Sequence, residues 1–216
     1  LSTSEQDELT SRYVLESDRR VEEFVIPLPP VWWSRPYEYA WAAEFAEREH
    51  CVLDAACGIS HPFKFFLARA CKEVHACDLD ARIMDTSAIL KDVADDSGPH
   101  DVSSELKKMT RVRADITKLP YSDETFDRVF CISTVEHLTD EDAGRALSEF
   151  RRVLKRGGLA VITFDVPSKS VSTFVSLVKQ SGLSWAGPFY MEEPEGVLRT
   201  QMYGGLSCFR VVLEKQ

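Results

Sequence analysis

Three aspartates, Asp54 in "VLDAACG", Asp78 in "CDLD" and Asp115 in "ADITKLPYSDETFD", each close a short apolar run. A carboxylate at the end of a buried strand accepts hydrogen bonds from a ribose diol or an exocyclic amine, which is the chemistry of holding a nucleoside. After Asp54 the chain passes through Ala55, Ala56 and Cys57 to Gly58, small residues that let a ligand approach the backbone before the next helix begins. Asp78 follows about 20 residues later, the separation at which an acid meets a ribose. A fourth apolar run ends in "STVEH", where Glu136 and His137 form a pair able to accept or donate a proton. Each feature also has a plainer reading. Strand-end acids often cap the following turn, and Thr139 with Asp142 resembles a capping box that would make His137 a residue at a helix start.

The elements needed to gather these residues are legible. "CVLDAAC", "EVHACDLD", "MTRVRAD", "FDRVFCIST" and "GLAVITFDV" read as strands, with helix-like stretches near 62–71, 81–95, 140–155 and 170–182. Strands alternating with helices predict βαβ units and a mainly parallel sheet covered on both faces. The tail "LSCFRVVLEKQ" follows a loop and a shorter extended piece, and is predicted to pair antiparallel as a hairpin. The polar stretch 92–108, "DVADDSGPHDVSSELKK", is predicted as an exposed loop.

Ahead of the sheet, residues 1–22 are predicted as a surface helix with a capping-type start and apolar positions at Leu9, Tyr13, Val14 and Val21. "IPLPP" is a stiff connector, and "VWWSRPYEYAWAAEFAERE" an amphipathic helix with Pro36 in its first turn and Tyr37, Trp41 and Phe45 on one face. Two adjacent tryptophans, Trp32 and Trp33, beside Arg35 cannot all face one core, so part of this set is expected to fold over a cleft. The organisation expected is a single domain: residues 1–48 an N-terminal helical lid or cap, residues 49–216 the core.

Composition narrows the partners. The 216 residues carry 26 Lys+Arg against 35 Asp+Glu, a formal net charge of -9, so the field of the molecule repels nucleic acid and anionic membrane surfaces alike. The six cysteines contain no CxxC pair; Cys51, Cys57, Cys71, Cys77 and Cys131 lie in or beside apolar segments, as buried thiols of a reducing cytoplasm do. His50, His61, His75 and His100 share no ligand spacing and read as solvated or structural, so no metal is expected. No stretch approaches the about 18 apolar residues of a membrane span, and no basic-then-apolar leader is seen, so the chain reads as soluble and cytoplasmic.

Taken together, "VLDAACG", "CDLD", "ADITKLPYSDETFD" and "RVLKRGGLAVIT" resemble the class I S-adenosylmethionine-dependent methyltransferases, in the branch that modifies small molecules, over about residues 35–215. The resemblance implies an α/β, Rossmann-like, seven-stranded and mostly parallel sheet with helices on both faces and an antiparallel last strand. It implies that Asp54, Ala55, Ala56, Cys57 and Gly58 hold the methionine part of S-adenosylmethionine, Asp78 the ribose, and Leu79, Asp115 and Ile116 the adenine. Ser133 and Thr134 would line the open side of the cofactor, with Glu136 and His137 facing a small-molecule acceptor. Arg35, with Trp33 beside it, is the natural partner for the cofactor carboxylate, because the core motifs supply mainly acids there.

Ala56 and Ser60 stand where this family usually has glycine. The cofactor carries no phosphate, so a glycine-only pyrophosphate cradle is not required. Two other readings stay open on the sequence: an NAD-linked oxidoreductase, which nicotinamide binding would reveal, and a non-catalytic module for S-adenosyl ligands, which turnover to S-adenosylhomocysteine would exclude.

Overall fold

The apolar runs become the strands of one sheet. In the computed structural model, which describes residues 7–216, the chain runs β1 (Arg12–Tyr13), β2 (Glu23–Phe24), β3 (Ile26–Pro27), α1 (Arg35–Ala42), β4 (Cys51–Ala55), α2 (Phe63–Ala70), β5 (Glu73–Asp78), α3 (Thr86–Ser97), α4 (Ser103–Leu106), β6 (Met109–Arg113), β7 (Phe126–Ile132), α5 (Asp140–Val153), β8 (Leu154–Val166), α6 (Val171–Ser181), β9 (Ser184–Trp185), β10 (Arg199–Thr200) and β11 (Leu206–Glu214). Seven strands follow the path β1-β11-β8-β7-β4-β5-β6, and the short β9 and β10 pair onto β11 beside it. Strands β4 to β8 are mutually parallel, whereas β11 runs antiparallel to β8 from Ser207↔Val166 to Glu214↔Leu159. The predicted hairpin at the tail is β10 with β11.

Neighbouring residues of the central strands fall to opposite faces, as the pleat demands. Leu53, Val129, Ile162 and Val211 join the cluster under α5 and α6, while Val52, Phe130, Val161 and Val212 join the one under α1, α2 and α3. Burial on both faces explains why these strands read as continuous apolar runs. The helices start where capping chemistry allows: Asp85 accepts from the Ser87 and Ala88 amides before α3, and Ser170 from the Thr173 amide before α6. Thr139 accepts from the Asp142 amide at 3.1 Å, the N-cap bond of the expected box, while the Asp142 carboxylate accepts from the Thr139 hydroxyl at 2.8 Å and not from its amide.

Two expectations are corrected. The surface helix expected over 1–22 is not formed by the described part of that segment, and its capping-type start lies outside the described residues. Arg12 and Tyr13 instead add β1 to the outer edge of β11, Arg12↔Arg210 and Tyr13↔Phe209. Tyr13 packs edge-on to Phe209 at 4.9 Å, and the buried Ser11 hydroxyl accepts the Val212 amide at 3.0 Å. An unpaired β11 edge would leave a row of amides and carbonyls open, and covering it outweighs a helical pattern of four apolar positions. Among the described residues, Asp7 and Glu8 are helical and the next helix starts only at Arg35; the helix expected to run to residue 49 ends at Ala42, with a single 3-10 turn over Ala43–Phe45.

The exposed loop expected over 92–108 is also largely helical. Residues 92–97 complete α3, and Ser103–Leu106 form α4. Val102 and Leu106, isolated apolar residues in a polar stretch, are buried and fasten it to the sheet.

Candidate active site

Asp54, Asp78 and Ile132 end or nearly end parallel strands on one edge of the sheet, and two cavities open there. The first, of about 240 Å³, is walled by Asp54, Ala56, Cys57 and Gly58 from the turn after β4, by Ser133, Thr134 and His137 after β7, and by Arg35, Tyr39 and His61. The second, of about 340 Å³, shares Arg35, His61 and His137 and adds Trp32, Trp33, Asp165 and Tyr203.

The turn after β4 is held by its surroundings more than by its own glycine. Gly58 has φ +64°, and a Cβ there would come 2.4 Å from His61 Cδ2. Ala56, at φ 56°, adopts the same left-handed region with a side chain, a conformation that costs an alanine energy unless neighbours enforce it. Those neighbours are Asp78 and Lys64. Asp78 Oδ2 accepts the Gly58 amide and Oδ1 the Asp80 amide, each at 2.9 Å. Lys64, fully buried in the first turn of α2, donates to the carbonyls of His61 (2.6 Å), Gly58 (2.9 Å) and Cys57 (3.4 Å). Ser60 is tied by its hydroxyl to Asp96 at 2.5 Å. The serine and alanine that depart from the family's glycines thus sit in a turn stapled from outside.

Asp54 is buried with Oδ2 unpartnered, and burial pushes its carboxyl up to about 7 against the pull of Lys64. Across the cavity Ser133 also has a positive φ, 43°, with its amide held by the Thr163 carbonyl. Its hydroxyl takes part in a buried network missed in the sequence. Glu38, fully buried on α1, accepts from Arg35 Nη1, Ser133 Oγ and Thr163 Oγ1, each at 2.6 Å, and from Ser34 Oγ at 3.1 Å. Burial acts to raise that carboxyl, but Arg35 and the hydroxyls win and hold it below its ordinary value. Arg35 in turn donates to Ser133 Oγ at 2.6 Å, and its side chain is 17 % exposed, toward the cavities.

His61, read from sequence as solvated or structural, lies instead in the wall of both cavities. It stacks on Trp32 at 4.2 Å, and its Nδ1 lies 3.0 Å from the Tyr39 hydroxyl. Burial, with the charges of Arg35 and Lys64, pushes the imidazole well below its ordinary value, so it is neutral at neutral pH. Burial likewise raises Tyr39, so the phenol donates to Nδ1 and leaves the Nε2 proton on the opposite side of the ring.

Of the sequence-predicted residues, Arg35, Asp54, Ala56, Cys57, Gly58, Ser133, Thr134 and His137 are gathered around the first cavity, and Trp33 lines the second. Ala55 is buried in β4, and Asp78 reaches the turn through the Gly58 amide. Leu79 is 62 % exposed beside it, Ile116 is buried, and Asp115 accepts from the Thr117 amide and hydroxyl at 2.8 and 2.7 Å. Glu136 lines neither cavity.

The Glu136 carboxyl is buried with both oxygens unpartnered, and burial pushes it up to about 8 from an ordinary 4.5. The folded state then holds a proton that the unfolded chain releases, so the stabilisation is complete below about pH 4.5 and is lost as pH rises through about 8. Glu136→Gln is expected to remove this loss, leaving stability near pH 4.5 little changed and raising it above about pH 8. Urea unfolding at the two pH values checks this; an unaltered pH slope would show that Glu136 is not the group responsible.

The described residues hold one grouping with metal-ligand spacing, which the sequence did not reveal. Cys51, Glu73 and His75 bring ligand atoms within 4.8 Å of one another at the starts of β4 and β5, the end of the sheet away from both cavities. His75 Nε2 is already 3.0 Å from Glu73, and burial pushes the Cys51 thiol up to about 11, which keeps it protonated. All six cysteines are free.

Residues 53–162 match the family described as "Methyltransferase domain". Among curated proteins the chain is 30 % identical to the methyltransferase GfsG of Streptomyces halstedii over 114 residues, 52 % of this chain and 37 % of that protein. It is 28 % identical to the demethylmenaquinone methyltransferase of Thermobifida fusca over 156 residues, 71 % of this chain and 61 % of that one. The matches thus span less than two thirds of either relative. Among solved structures, a TehB-like SAM-dependent methyltransferase from Corynebacterium glutamicum superposes with a TM-score of 0.58 at 19 % identity, covering 83 % of this chain and 87 % of that one. The family match spans the turn after β4, Asp78, Asp115 and the segment from Ser133 to His137. On that ground the chain belongs to the methyltransferase-domain family, with the sheet of its class I, S-adenosylmethionine-dependent members.

Proposed function

We propose that this protein transfers a methyl group from S-adenosylmethionine to an N, O, S or C atom of a small-molecule acceptor. The observation that carries this reading is the junction of the two cavities at His137: one suits the aminoacyl end of the cofactor, and the other is free for an acceptor. The residues present fit the cofactor. The buried, unpartnered Asp54 Oδ2 is a seat for an ammonium, Arg35 a seat for a carboxylate, and Asp78 an acceptor for ribose hydroxyls. When bound, the cofactor supplies an activated methyl on a sulfonium, which is already an excellent leaving group.

The work left to the chain is alignment and exclusion of water. Ser133 and Thr134 wall the cofactor side, Trp32 and Trp33 wall the acceptor side, and His61 and Arg35 separate the two. A base is needed only if the acceptor must lose a proton, and His137, exposed in both cavities, is placed for that role. Glu136, protonated at neutral pH and off the cavity walls, is the weaker candidate. In this reading the residues around Trp32 and Trp33 cover the cleft, whereas β1 belongs to the core sheet. The free thiols suit a reducing cytoplasm, where we place the protein.

Calorimetric titration with S-adenosylhomocysteine tests the cofactor site. Asp78→Ala should weaken binding by about 1–3 kcal/mol, the cost of leaving desolvated hydroxyls without a charged acceptor. Unchanged affinity would remove the ribose assignment.

A further inference from the structure

The second cavity has an unusual charge balance. Its one full anion is Asp165, near the end of β8, whose buried Oδ1 has no hydrogen-bond partner. The cation in its wall is Arg35, already committed to Glu38 at 2.6 Å. His61 is neutral, His137 is the other imidazole, and the rest of the wall is apolar, aromatic or hydroxylic: Val31, Trp32, Trp33, Tyr203, Leu206 and serines. Glu136, buried nearby, adds further negative character when ionised, and its influence and that of Glu38 both reach this corner of the fold. Tyr203 at the rim is 69 % exposed, and Trp33 is half-buried, so aromatic faces are open to an occupant.

We propose that this cavity is the acceptor site and takes a small primary or secondary amine, arriving as its ammonium form, with the nitrogen held by Asp165 and the attached carbon skeleton against Trp33 and Tyr203. The inference rests on the methyltransferase reading and names the substrate class for it. An ammonium pairs the orphaned carboxylate and is attracted to aromatic faces at the same time. A carboxylate acceptor meets Asp165 with like charge, and the one guanidinium in the wall, Arg35, is shared between Glu38 and the cofactor carboxylate. A phenol or alcohol gives Asp165 a hydrogen bond but leaves its charge uncompensated in a partly buried pocket. Burial, with the charge of Glu38, pushes Asp165 up to about 6, so its surroundings penalise its charge and a cation beside it would relieve the penalty.

The step balances with the groups at hand. His137 takes one proton from the ammonium, and the freed nitrogen lone pair bonds to the methyl carbon. The electron pair of the carbon–sulfur bond stays on sulfur, and the products are an N-methylammonium and a neutral thioether.

The test uses a matched set on the full chain: 2-phenylethylamine and tryptamine against 4-ethylphenol, 2-phenylethanethiol and 3-phenylpropionate. Binding to the S-adenosylhomocysteine complex is read by calorimetry, and turnover by release of S-adenosylhomocysteine from S-adenosylmethionine. The amines should bind and turn over in preference to the others. Asp165→Asn, nearly isosteric, should weaken amine binding by about 30-fold or more, the loss when one member of a buried charge pair is removed, with S-adenosylhomocysteine affinity unchanged. Preference for the phenol, thiol or carboxylate, an S-adenosylhomocysteine complex that binds neither amine, or amine binding indifferent to Asp165→Asn overturns the amine assignment and leaves the methyltransferase reading intact. Failure to bind S-adenosylhomocysteine at all brings down that reading, and the amine assignment with it.

Discussion

Arg35→Ala is expected to destabilise the free protein by about 3–5 kcal/mol, the range seen when one partner of a buried ion pair is removed. Glu38 has no exposed surface, and its carboxylate depends on Arg35 and three hydroxyls. Hydroxyls can donate but cannot neutralise a charge, so the variant keeps an uncompensated anion in the core. Read from sequence, Arg35 is a partner for the cofactor carboxylate on a segment expected to fold over the cleft, a role that would leave the free protein's stability nearly unchanged. The Glu38 contact corrects that expectation.

The pH dependence should also change sign. In the parent, Glu38 sits below its ordinary 4.5, so its contribution is present above that pH and lost in acid. Without Arg35, burial dominates and the carboxyl is raised, so the variant should lose stability as pH rises and recover part of it near pH 5. Arg35→Met combined with Glu38→Gln should restore much of the loss at neutral pH. Thermal unfolding of the single and double variants decides it, and an unchanged melting temperature in Arg35→Ala would return the residue to the role of a free lid charge.

Lys64→Met is expected to cost about 3 kcal/mol or more, because three carbonyl oxygens lose their donor at about 1 kcal/mol or more each. The methionine fills nearly the same space, so the loss reads the ammonium and not a void. The carbonyls of Cys57, Gly58 and His61 belong to the turn that walls the first cavity, so S-adenosylhomocysteine affinity should fall together with stability. Lys64→Arg should not rescue it, since a planar guanidinium does not fit a site shaped around one point charge. Calorimetry and urea unfolding on the same samples check both effects; a variant with parental affinity and stability would show that the turn holds its own shape.

The central strands were legible because burial on both faces leaves an unbroken apolar signal, and α5 and α6 because their caps and apolar faces agree. The strand-end acids were legible because strand ends are. What escaped shares one cause. Glu38, Lys64 and Asp165 are charged residues inside segments that read as helix or strand, and a charge there looks like a solvated face until the fold shows what covers it. Lys64 and Glu38 become visible only when a helix turn meets a loop, or a helix meets the ends of β7 and β8. His61 gave no spacing signal, since its partners Trp32 and Tyr39 lie on another element. The misread N-terminal helix fails for a related reason: the edge that recruits β1 is far away in sequence.

That distance bears on the order of assembly. The seam between β1 and β11 joins groups 201 positions apart, Ser11 Oγ and the Val212 amide. Closing so long a loop is entropically slow, whereas β4 to β8 pair through shorter crossovers with a helix in most of them. The parallel strands are expected to consolidate first, β11 to slot against β8 next, and Tyr13 to dock last. During synthesis the segment carrying Tyr13 and Val14 therefore waits, apolar side chains unmatched, until the strand that receives it has left the ribosome. In native-state hydrogen exchange, the β1 amides should be among the first in the sheet to open, since a two-residue edge strand has little else to hold it.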